Sequence, residues 1–439
     1  MAHAYTDRWG CPLFATHQEA VGLLDEAVEQ LVSLSGEPGT LVDEAATIDP
    51  QLMLARVMQA YLALYASSAR GIERARALVG DLQPRSLRTG EREILHVLAA
   101  QSWADGEWEH ALGFLDRALQ HDSRDLLALK VAQDLSFFLG DQQALRDVVE
   151  RVVGAWSSDR PGYGYVRGMY AFGLEENGDY DGAEQQARRA LAVNPRDVWA
   201  VHAQAHVFEM RGDQRLGIAF LDDSVGDWSS SYFATHNWWH RALYHLELGE
   251  LDEALAIYDG PIRGTGSTEW LDVDDAASLL WRLHLFGVDV GERARTLVGE
   301  VGGLLGEPVY VFNDWHAVMI AGLAGFPDVC EGLIRANRNA PDGTNRRAIE
   351  SAGLRLIEGF AAFVSGDAAR TVHRLIDIGP TAHVVGGSHA QRDVIDLTLL
   401  AAAARVGDLR LAEALLAARV ACKPSAAAAG GDLIRTNSR

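Results

Sequence analysis

Cysteine, proline and basic residues are scarce in this sequence of 439 residues, and each scarcity excludes a class of protein. There are 3 cysteines, 12 prolines and a net charge of −22, from 39 basic and 61 acidic residues. Cys11, Cys330 and Cys422 are too few and too scattered for a disulfide framework, and no CxxC pair is present to bind zinc. The acidic excess argues against nucleic acid or anionic lipid as the main partner, because phosphate binding needs clustered lysine and arginine.

Membrane-directing segments are also lacking. The first twenty residues, MAHAYTDRWGCPLFATHQEA, have no positive region followed by an apolar stretch, and no run of about 18 uncharged apolar residues occurs. A hydrophobic fraction of 48% with 23% charged residues is ordinary globular composition, which excludes wholesale disorder. We therefore expect a soluble protein of a reducing compartment, with the cytoplasm as the predicted location.

A repeat of helix-forming segments dominates the sequence. Turn glycines at 106, 140, 178, 212 and 249 are spaced by 34, 38, 34 and 37 residues, and alanines follow them at similar offsets. A period near 34 residues with helix–turn–helix units is the tetratricopeptide signature. Glycine permits the tight turn, and small residues let neighbouring helices approach closely. Because one hairpin cannot bury its own apolar face, the units are expected to stack.

The repeat predicts an all-α fold, an α-solenoid of tetratricopeptide-like helix hairpins that is strongly curved or closed around a central pocket. Residues 1–90 fit the period poorly and are predicted to form an N-terminal helical cap. Residues 91–425 are predicted to form the repeat solenoid. Residues 426–439 are rich in alanine, glycine and polar residues and are predicted to be a disordered tail.

Titratable side chains are concentrated on the first helix of each hairpin, here called the A helix, whereas the second, or B, helices have ordinary amphipathic patterns. Residues at i and i+4 share one face of a helix. His202 and His206 therefore point the same way, as do His236 and His240. Since A helices line the concave face of tetratricopeptide arrays, these side chains are predicted to share one groove.

Histidine and carboxylate groups in such a groove favour a small-molecule binding protein or an enzyme. Histidine titrates near neutral pH and a neighbouring carboxylate orients it, which suits hydrolysis, elimination or isomerisation without an organic cofactor. The expected acid–base pairs are His316 with Asp314 and His206 with Glu209, while Arg392 is expected to grip a carboxylate or phosphate. The predicted catalytic residues are His206, Glu209, His240, Asp314 and His316. The predicted substrate-binding residues are His202, His236, Asn237, Trp239, Asp274, Asp275, Asn313, His389, Arg392, Asp393 and Tyr170.

A metal ion is a second form of this hypothesis. The pairs His202/His206 and His236/His240 can each supply two imidazoles, with Glu209 or Asp314 as an oxygen ligand, which suits zinc, iron or manganese. No standard metal motif is matched, because neither HxxxH segment has a glutamate after its first histidine. The primary prediction therefore contains neither a metal nor an organic cofactor.

Several segments resemble the tetratricopeptide repeat protein 38 family, in the same order along residues 91–423. They include REILHVLAAQSWADGEWEHAL, YVRGMYAFGLEENGDYDGAE, VHAQAHVFEM, THNWWHRALYHLELGE, FNDWH and GGSHAQRDV. The resemblance implies a repeat fold and does not bring a defined activity with it. The chain departs from the family pattern near its end, where Lys423-Pro424-Ser425-Ala426-Ala427 stands in place of Lys-Pro-x-Ser-Pro.

Two other interpretations of the polar A helices stay open. The first is a protein–protein interaction scaffold that binds a peptide in the concave groove, as helical repeats commonly do. The second is a buried polar network that holds the helices together. Ser388 with Gln391 also fits a helix capping box, and Asp272 and Asn313 fit plain N-caps. Homo-oligomerisation is left open.

Overall fold

Helices dominate the computed structural model, which describes residues 3–80, 82 and 90–438. The chain divides into two compact units. The first unit comprises residues 1–204 and 226–233, and the second comprises residues 205–225 and 234–439. The boundary at residues 204/205 lies within one helix, Val198–Arg211.

The first unit begins with a short antiparallel β-hairpin, in which His3 pairs with Ala15 and Thr6 with Pro12. Its helices then follow as consecutive antiparallel pairs. The elements are β1 (His3–Thr6), β2 (Pro12–Ala15), α1 (Gln18–Ser33), α2 (Pro38–Ile48), α3 (Met53–Tyr65), α4 (Ala69–Gly80), α5 (Glu91–Ala104), α6 (Trp108–His121), α7 (Leu126–Phe138), α8 (Gln142–Glu150), α9 (Tyr163–Glu176) and α10 (Tyr180–Val193).

The same pairing of helices continues past the unit boundary. Short 3₁₀ and π turns interrupt several connections. The elements are α11 (Val198–Arg211), α12 (Gln214–Asp223), α13 (Val225–Trp228), α14 (Ala234–Glu247), α15 (Leu251–Ile257), α16 (Trp270–Leu285), α17 (Gly291–Val301), α18 (Val311–Leu323), α19 (Pro327–Arg338), α20 (Thr344–Ala348), α21 (Leu354–Val364), α22 (Ala368–Leu375), α23 (His389–Arg405), α24 (Leu409–Cys422) and α25 (Ala426–Asn437).

A left-handed glycine terminates each A helix from α5 onwards at its turn. At the α9/α10 turn, Gly178 has φ +80°, and its N–H donates to the carbonyl of Glu175 at 2.8 Å. The next residue, Asp179, accepts from the N–H of Gly182 at 3.0 Å and so caps α10. The same conformation occurs at Gly106, Gly140, Gly212, Gly249, Gly287, Gly325, Gly366 and Gly407.

These hairpins confirm the predicted all-α solenoid of tetratricopeptide-like units. The glycine turns at 106, 140, 178, 212 and 249 lie where the spacing predicts them. Gly287 and Gly366 add two turns that the pattern missed. Gly287 is followed by Val288 rather than by an acidic residue, so it lacks the Gly-Asp/Glu signature.

The N-terminal region is not purely helical, which differs from the predicted cap. Carboxylates tie the backbone of the β-hairpin to neighbouring helices: Phe14 N–H donates to Glu93 at 3.0 Å, and His17 N–H donates to Asp49 at 3.2 Å. Contacts such as these join segments far apart in sequence, and local periodicity does not reveal them. The boundary between the two units also falls elsewhere than the predicted division at residue 90.

The C-terminal segment forms α25, where the sequence predicts a disordered tail. Leu433 is fully buried, and Ala429 is nearly so. The Asn437 side-chain amide donates to the carbonyl of Leu285 at 2.9 Å. Its side-chain oxygen accepts from Arg405 at 2.9 Å. One well-placed leucine and a terminal asparagine therefore order a segment whose composition alone suggests a flexible chain.

Tryptophans form much of the core of the second unit. The Trp281 ring lies 4.7 Å from Phe360 and the Trp315 ring lies 5.2 Å from the same phenylalanine, measured between centroids. The Trp281 indole N–H donates to the Thr398 hydroxyl at 2.8 Å. These contacts bring the A helices α16, α18, α21 and α23 together within this unit. Among the described helices, none is both long and apolar enough to cross a bilayer.

Replacing the turn glycine Gly178 with alanine should destabilise the protein. Its φ of +80° is unfavourable for a Cβ, although the space around it is open, so we expect a loss of about 1 kcal/mol. Gly113, within α6, has equally open surroundings and no positive φ, so Gly113→Ala should stabilise by about 0.5–1 kcal/mol. Chemical denaturation of both variants checks this, and the same sign for both would contradict the role assigned to the turn.

Candidate functional site

The predicted site residues are distributed over both units and are mostly buried. Tyr170 and His202 belong to the first unit, and the others belong to the second. In the second unit, His389 and Asp393 are half-buried. The remaining predicted residues there are buried, namely His206, Glu209, His236, Asn237, Trp239, His240, Asp274, Asp275, Asn313, Asp314, His316 and Arg392.

In the first unit, His202 packs as one member of an aromatic group. Its ring centroid lies 5.1 Å from Phe172, 4.9 Å from Trp199 and 5.1 Å from Phe233. Tyr170 is half-buried on α9, and burial raises its pKa above the ordinary value. Within this unit, His202, predicted to bind substrate, therefore packs against three aromatic rings.

In the second unit, histidines pair with carboxylates across neighbouring A helices. His240 Nδ1 on α14 donates to Glu209 on α11 at 2.9 Å. His236 Nδ1 donates to both oxygens of Asp275 on α16 at 2.9 Å. The predicted His206–Glu209 pair on one helix is therefore replaced by a pair between helices, since Glu209 reaches to His240.

Three imidazoles come together beside these carboxylates. The His240 ring centroid lies 4.4 Å from His206 and 4.9 Å from His236. Each of the three rings offers a nitrogen, and these nitrogens lie within 4.8 Å of one another. Burial, followed by the nearby His206 and His236, holds the pKa of His240 well below its ordinary value, so His240 is neutral at pH 7.

Trp239 forms one wall of this histidine group. The His236 ring stacks on it at 5.2 Å with an interplanar angle of 16°. The guanidinium of Arg282 lies 5.4 Å from the centre of the same indole. Asn237, between the two histidines in sequence, is fully buried on the same helix. Trp239 therefore packs against the polar residues as part of the core.

His316 and Asp314 do not form the predicted acid–base pair. His316 Nδ1 donates to the carbonyl of Phe312, one turn earlier, at 2.8 Å, and burial lowers its pKa to about 3. The other nearby carboxylate is Asp274, at 3.9 Å from His316 Nδ1. Burial raises the pKa of Asp314 to about 7, while a hydrogen bond with Asn337 opposes the shift. Backbone bonding therefore fixes the imidazole, which is neutral at pH 7.

A buried ion network lies next to the histidines in the second unit. Lys423 Nζ contacts Glu209 at 3.2 Å and Glu247 at 3.1 Å. Arg419 donates to Glu247 at 2.5 Å and to Asp393 at 2.7 and 2.8 Å. Because buried charges are stable only when paired, this network satisfies Glu209 and Asp393 with cations of this chain instead of a ligand.

The GGSHAQRD segment is a structural turn and helix start. Arg392 donates to the carbonyl of Gly386 at 3.3 Å and also to the carbonyl of Gly387, so its guanidinium secures the turn instead of gripping a ligand. Ser388 and Gln391 form the capping box that their spacing predicts. His389 is the first residue of α23.

The predicted N-caps of α16 and α18, Asp272 and Asn313, are wrong. Helix α16 is preceded by Glu269 and α18 by Tyr310. Asp272 and Asn313 are thus within the first turns of these helices and are not N-caps. The helices begin earlier than the polar residues suggest, so the pattern placed their starts too late.

The prediction of a small-molecule or catalytic pocket is wrong. The cavity lined by Glu209, Glu247, Arg282, Asp393 and Lys423, with neighbouring apolar residues, has a volume of about 10 Å³. That is about the space of one water molecule, whereas ligand pockets enclose roughly 300–1,000 Å³. Side chains from the facing A helices fill the space that the prediction assigned to a substrate.

Sequence reasoning missed four residues that organise this network: Glu247, Arg282, Arg419 and Lys423. Glu247 lies seven residues after His240, on the same face of α14, and this spacing is a signal that was available. Arg419 and Lys423 lie four residues apart. Arg419 is in the last turn of α24 and Lys423 is its C-cap, and the sequence of this B helix has an ordinary amphipathic pattern. Their acidic partners lie on other helices, so no local pattern identifies them.

No family model matches the sequence. Similar solved structures include yeast Tom70, with 12% identity over 95% of each chain and a TM-score of 0.35. Others are Naa15/Naa10 bound to HypK-THB, with 12% identity over 90% of this chain and 68% of that chain and a TM-score of 0.26, and the TPR domain of P58(IPK), with 12% identity over 71% and 97% and a TM-score of 0.20. The fold assignment rests on the hairpins and their glycine turns.

Asp314 should make stability depend on pH. Its folded pKa of about 7 exceeds the ordinary value of 3.8, because the buried site favours the protonated carboxyl. The free energy of unfolding therefore falls as the pH rises from about 4 to about 7. Asp314→Asn removes the need for a proton, so it should stabilise the protein at pH 8 by on the order of 4 kcal/mol and have little effect near pH 4. The pKa of Asp274 is raised by burial and by nearby Asp275 and Asp314. The same variant removes the contribution of Asp314, so the pKa of Asp274 should fall.

Denaturation of Asp314→Asn at pH 4 and pH 8 measures this effect. The matched control is Asp377→Asn, which changes an exposed aspartate of the same unit. An equal loss of stability at both pH values in Asp314→Asn would contradict the assignment of Asp314 as a buried carboxyl that resists ionisation.

Proposed function

We propose that this protein is an interaction scaffold that binds a peptide segment of a partner protein along the A helices of its first unit. Support comes from a continuous line of aromatic rings across successive A helices, several of which are only half-buried. Helical repeats commonly use such faces to bind extended or helical peptides. We call these rings the aromatic row, which consists of Tyr65, Trp103, Phe137, Phe138, Phe172, Trp199 and Phe233.

Neighbouring rings in the aromatic row are in contact from α3 to α11. Centroids are 5.2 Å apart for Tyr65 and Trp103 and 6.2 Å for Trp103 and Phe138. The contacts continue through Phe137 and Phe172, 5.9 Å apart, to Trp199, 5.1 Å from Phe172. Aromatic residues with a partly accessible face are the most frequent anchors of protein interfaces. The row thus provides a series of anchor positions on rigid elements.

Four of the seven residues in the row stay partly accessible, with polar groups beside them. Tyr65, Phe137, Phe138 and Trp199 are half-buried, so part of each ring is open to a partner. Lys130 Nζ lies 5.0 Å from the centre of the Trp199 ring. Asp134 accepts from Lys130 and from the Tyr65 hydroxyl, each at 2.6 Å. Such polar groups orient a peptide, while the rings supply apolar contact.

The charge of the chain favours a basic partner. A net charge of −22 produces a field that attracts cationic segments and accelerates their association. We therefore propose that the bound segment combines aromatic or aliphatic anchors with lysine or arginine.

Membership of the tetratricopeptide repeat protein 38 family is part of the same proposal. It is supported by the ordered motifs VHAQAHVFEM, THNWWHRALY, FNDWH and GGSHAQRD. In this structure His206, His236, His240 and His316 of these motifs are buried between the A helices of the second unit.

Selection of binding peptides tests the proposal directly. A library of random peptides displayed on phage is selected against the full chain, and the peptides recovered are synthesised for affinity measurement by fluorescence polarisation. We expect basic peptides with aromatic or aliphatic residues. Phe138→Ala and Phe137→Ala should each lower the affinity for these peptides at least about tenfold, because an anchor of the interface is lost. Affinity should also fall as salt rises from about 0.05 M to about 0.5 M.

Val193→Ala is the matched control, because Val193 is an apolar side chain on the B helix α10 with 53% exposure. It should leave the affinity unchanged. Peptides that bind the Phe137 and Phe138 variants as tightly as the unmodified chain would overturn the assignment of the aromatic row. A failure to recover any peptide that binds above background would overturn the scaffold proposal itself.

A further inference from the structure

The three imidazoles of the second unit have the arrangement of metal ligands. His206 lies on α11, and His236 and His240 lie one turn apart on α14. One ring nitrogen from each lies within 4.8 Å of the others. All three side chains are buried, with exposures of 0%, 4% and 0%.

We propose that His206, His236 and His240 bind one divalent transition-metal ion, zinc in preference to the others. Nitrogen ligands suit zinc, copper and nickel, and zinc accepts three histidines in a tetrahedral site with one further ligand. The proposal is independent of the scaffold function, since the three residues lie in the second unit and the aromatic row lies in the first.

The distances allow a single ion to be shared. Three nitrogens at about 2.1 Å from a tetrahedral zinc lie about 3.4 Å apart. The three nitrogens lie within 4.8 Å of one another, so binding of the ion would draw them closer by at most about 1.4 Å.

Carboxylates orient two of the three rings as in established metal sites. His240 Nδ1 donates to Glu209 and His236 Nδ1 donates to Asp275, each at 2.9 Å. Histidine ligands commonly donate their second nitrogen to a carboxylate, which fixes the tautomer and makes the coordinating nitrogen more basic. These bonds use Nδ1 of both histidines, so coordination would be through Nε2.

Carboxylates and cations both lie beside the imidazoles. Glu209 and Asp275 accept hydrogen bonds from His240 and His236. Lys423 Nζ holds the other oxygen of Glu209 at 3.2 Å, so this carboxylate is fixed from both sides.

Metal content and cobalt spectroscopy of the full chain test the proposal. Protein purified without chelator is equilibrated with zinc, passed through metal-free buffer and analysed by mass spectrometry for elements. We expect about one zinc per chain. Substitution with Co²⁺ should give the visible bands of a four- or five-coordinate site, and X-ray absorption should show imidazole nitrogens around zinc.

Variants separate the site from adventitious binding. His206→Ala and His240→Ala should reduce zinc affinity at least about 100-fold in a chelator competition. His245→Ala is the matched control. His245 lies on the same helix and donates its Nδ1 to Glu250 at 2.7 Å, yet it is outside the group of three. It should keep the zinc of the unmodified chain.

A positioning variant keeps the test decisive if the alanine variants unfold. Asp275→Asn retains the side-chain shape and should weaken zinc binding by about 10–100-fold, with circular dichroism unchanged and the zinc still bound at excess metal. The proposal is overturned if the unmodified chain retains no zinc and gives no cobalt bands. It is also overturned if His245→Ala loses as much zinc as His240→Ala, or if Asp275→Asn binds zinc as tightly as the unmodified chain.

Discussion

Pairing of buried polar groups governs how the A helices of the second unit pack. His240 with Glu209 and His236 with Asp275 are bonds between different helices, and Lys423 and Arg419 bring cations to Glu209, Glu247 and Asp393. Removing one partner of a buried ion pair leaves an unpaired charge in the core, which lowers the free energy of unfolding by roughly 3–5 kcal/mol. The helices can therefore approach only in the register that satisfies these pairs, and the remaining space is filled by Trp239, Trp281 and Trp315.

The repeat could be predicted from the sequence, whereas the role of its polar residues could not. Glycine turns report local backbone conformation, so Gly106 to Gly249 locate the hairpins correctly. The same is true of the Ser388–Gln391 cap. Spacing on a helix shows that His206 and Glu209 share a face, but it does not show how near the next helix lies. That distance decides whether a polar face lines a pocket or, as in this protein, packs against a partner face around a space of about 10 Å³.

Two patterns occur on the A helices: the aromatic row, in the first unit, and buried ionic and imidazole groups, in both units. In the first unit, Arg92 and His96 on α5 bond to Asp125 at 2.7 and 3.0 Å. In the second unit, His240 and His236 bond to Glu209 and Asp275. Both patterns arise from the same constraint, that one hairpin buries its apolar face only against another. The first pattern supports a binding surface and the second supports stability, together with the proposed metal site.

Chemical labelling of histidines tests most directly that the A-helix histidines are core residues. Diethyl pyrocarbonate modifies accessible imidazoles, and peptide mass spectrometry reports the rate at each position. The exposed His17, His110, His373 and His383 should react rapidly in the native protein. The buried His206, His236, His240 and His316 should react only after denaturation. Rapid labelling of this second group in the folded chain would mean that they face an open pocket, and would contradict the account.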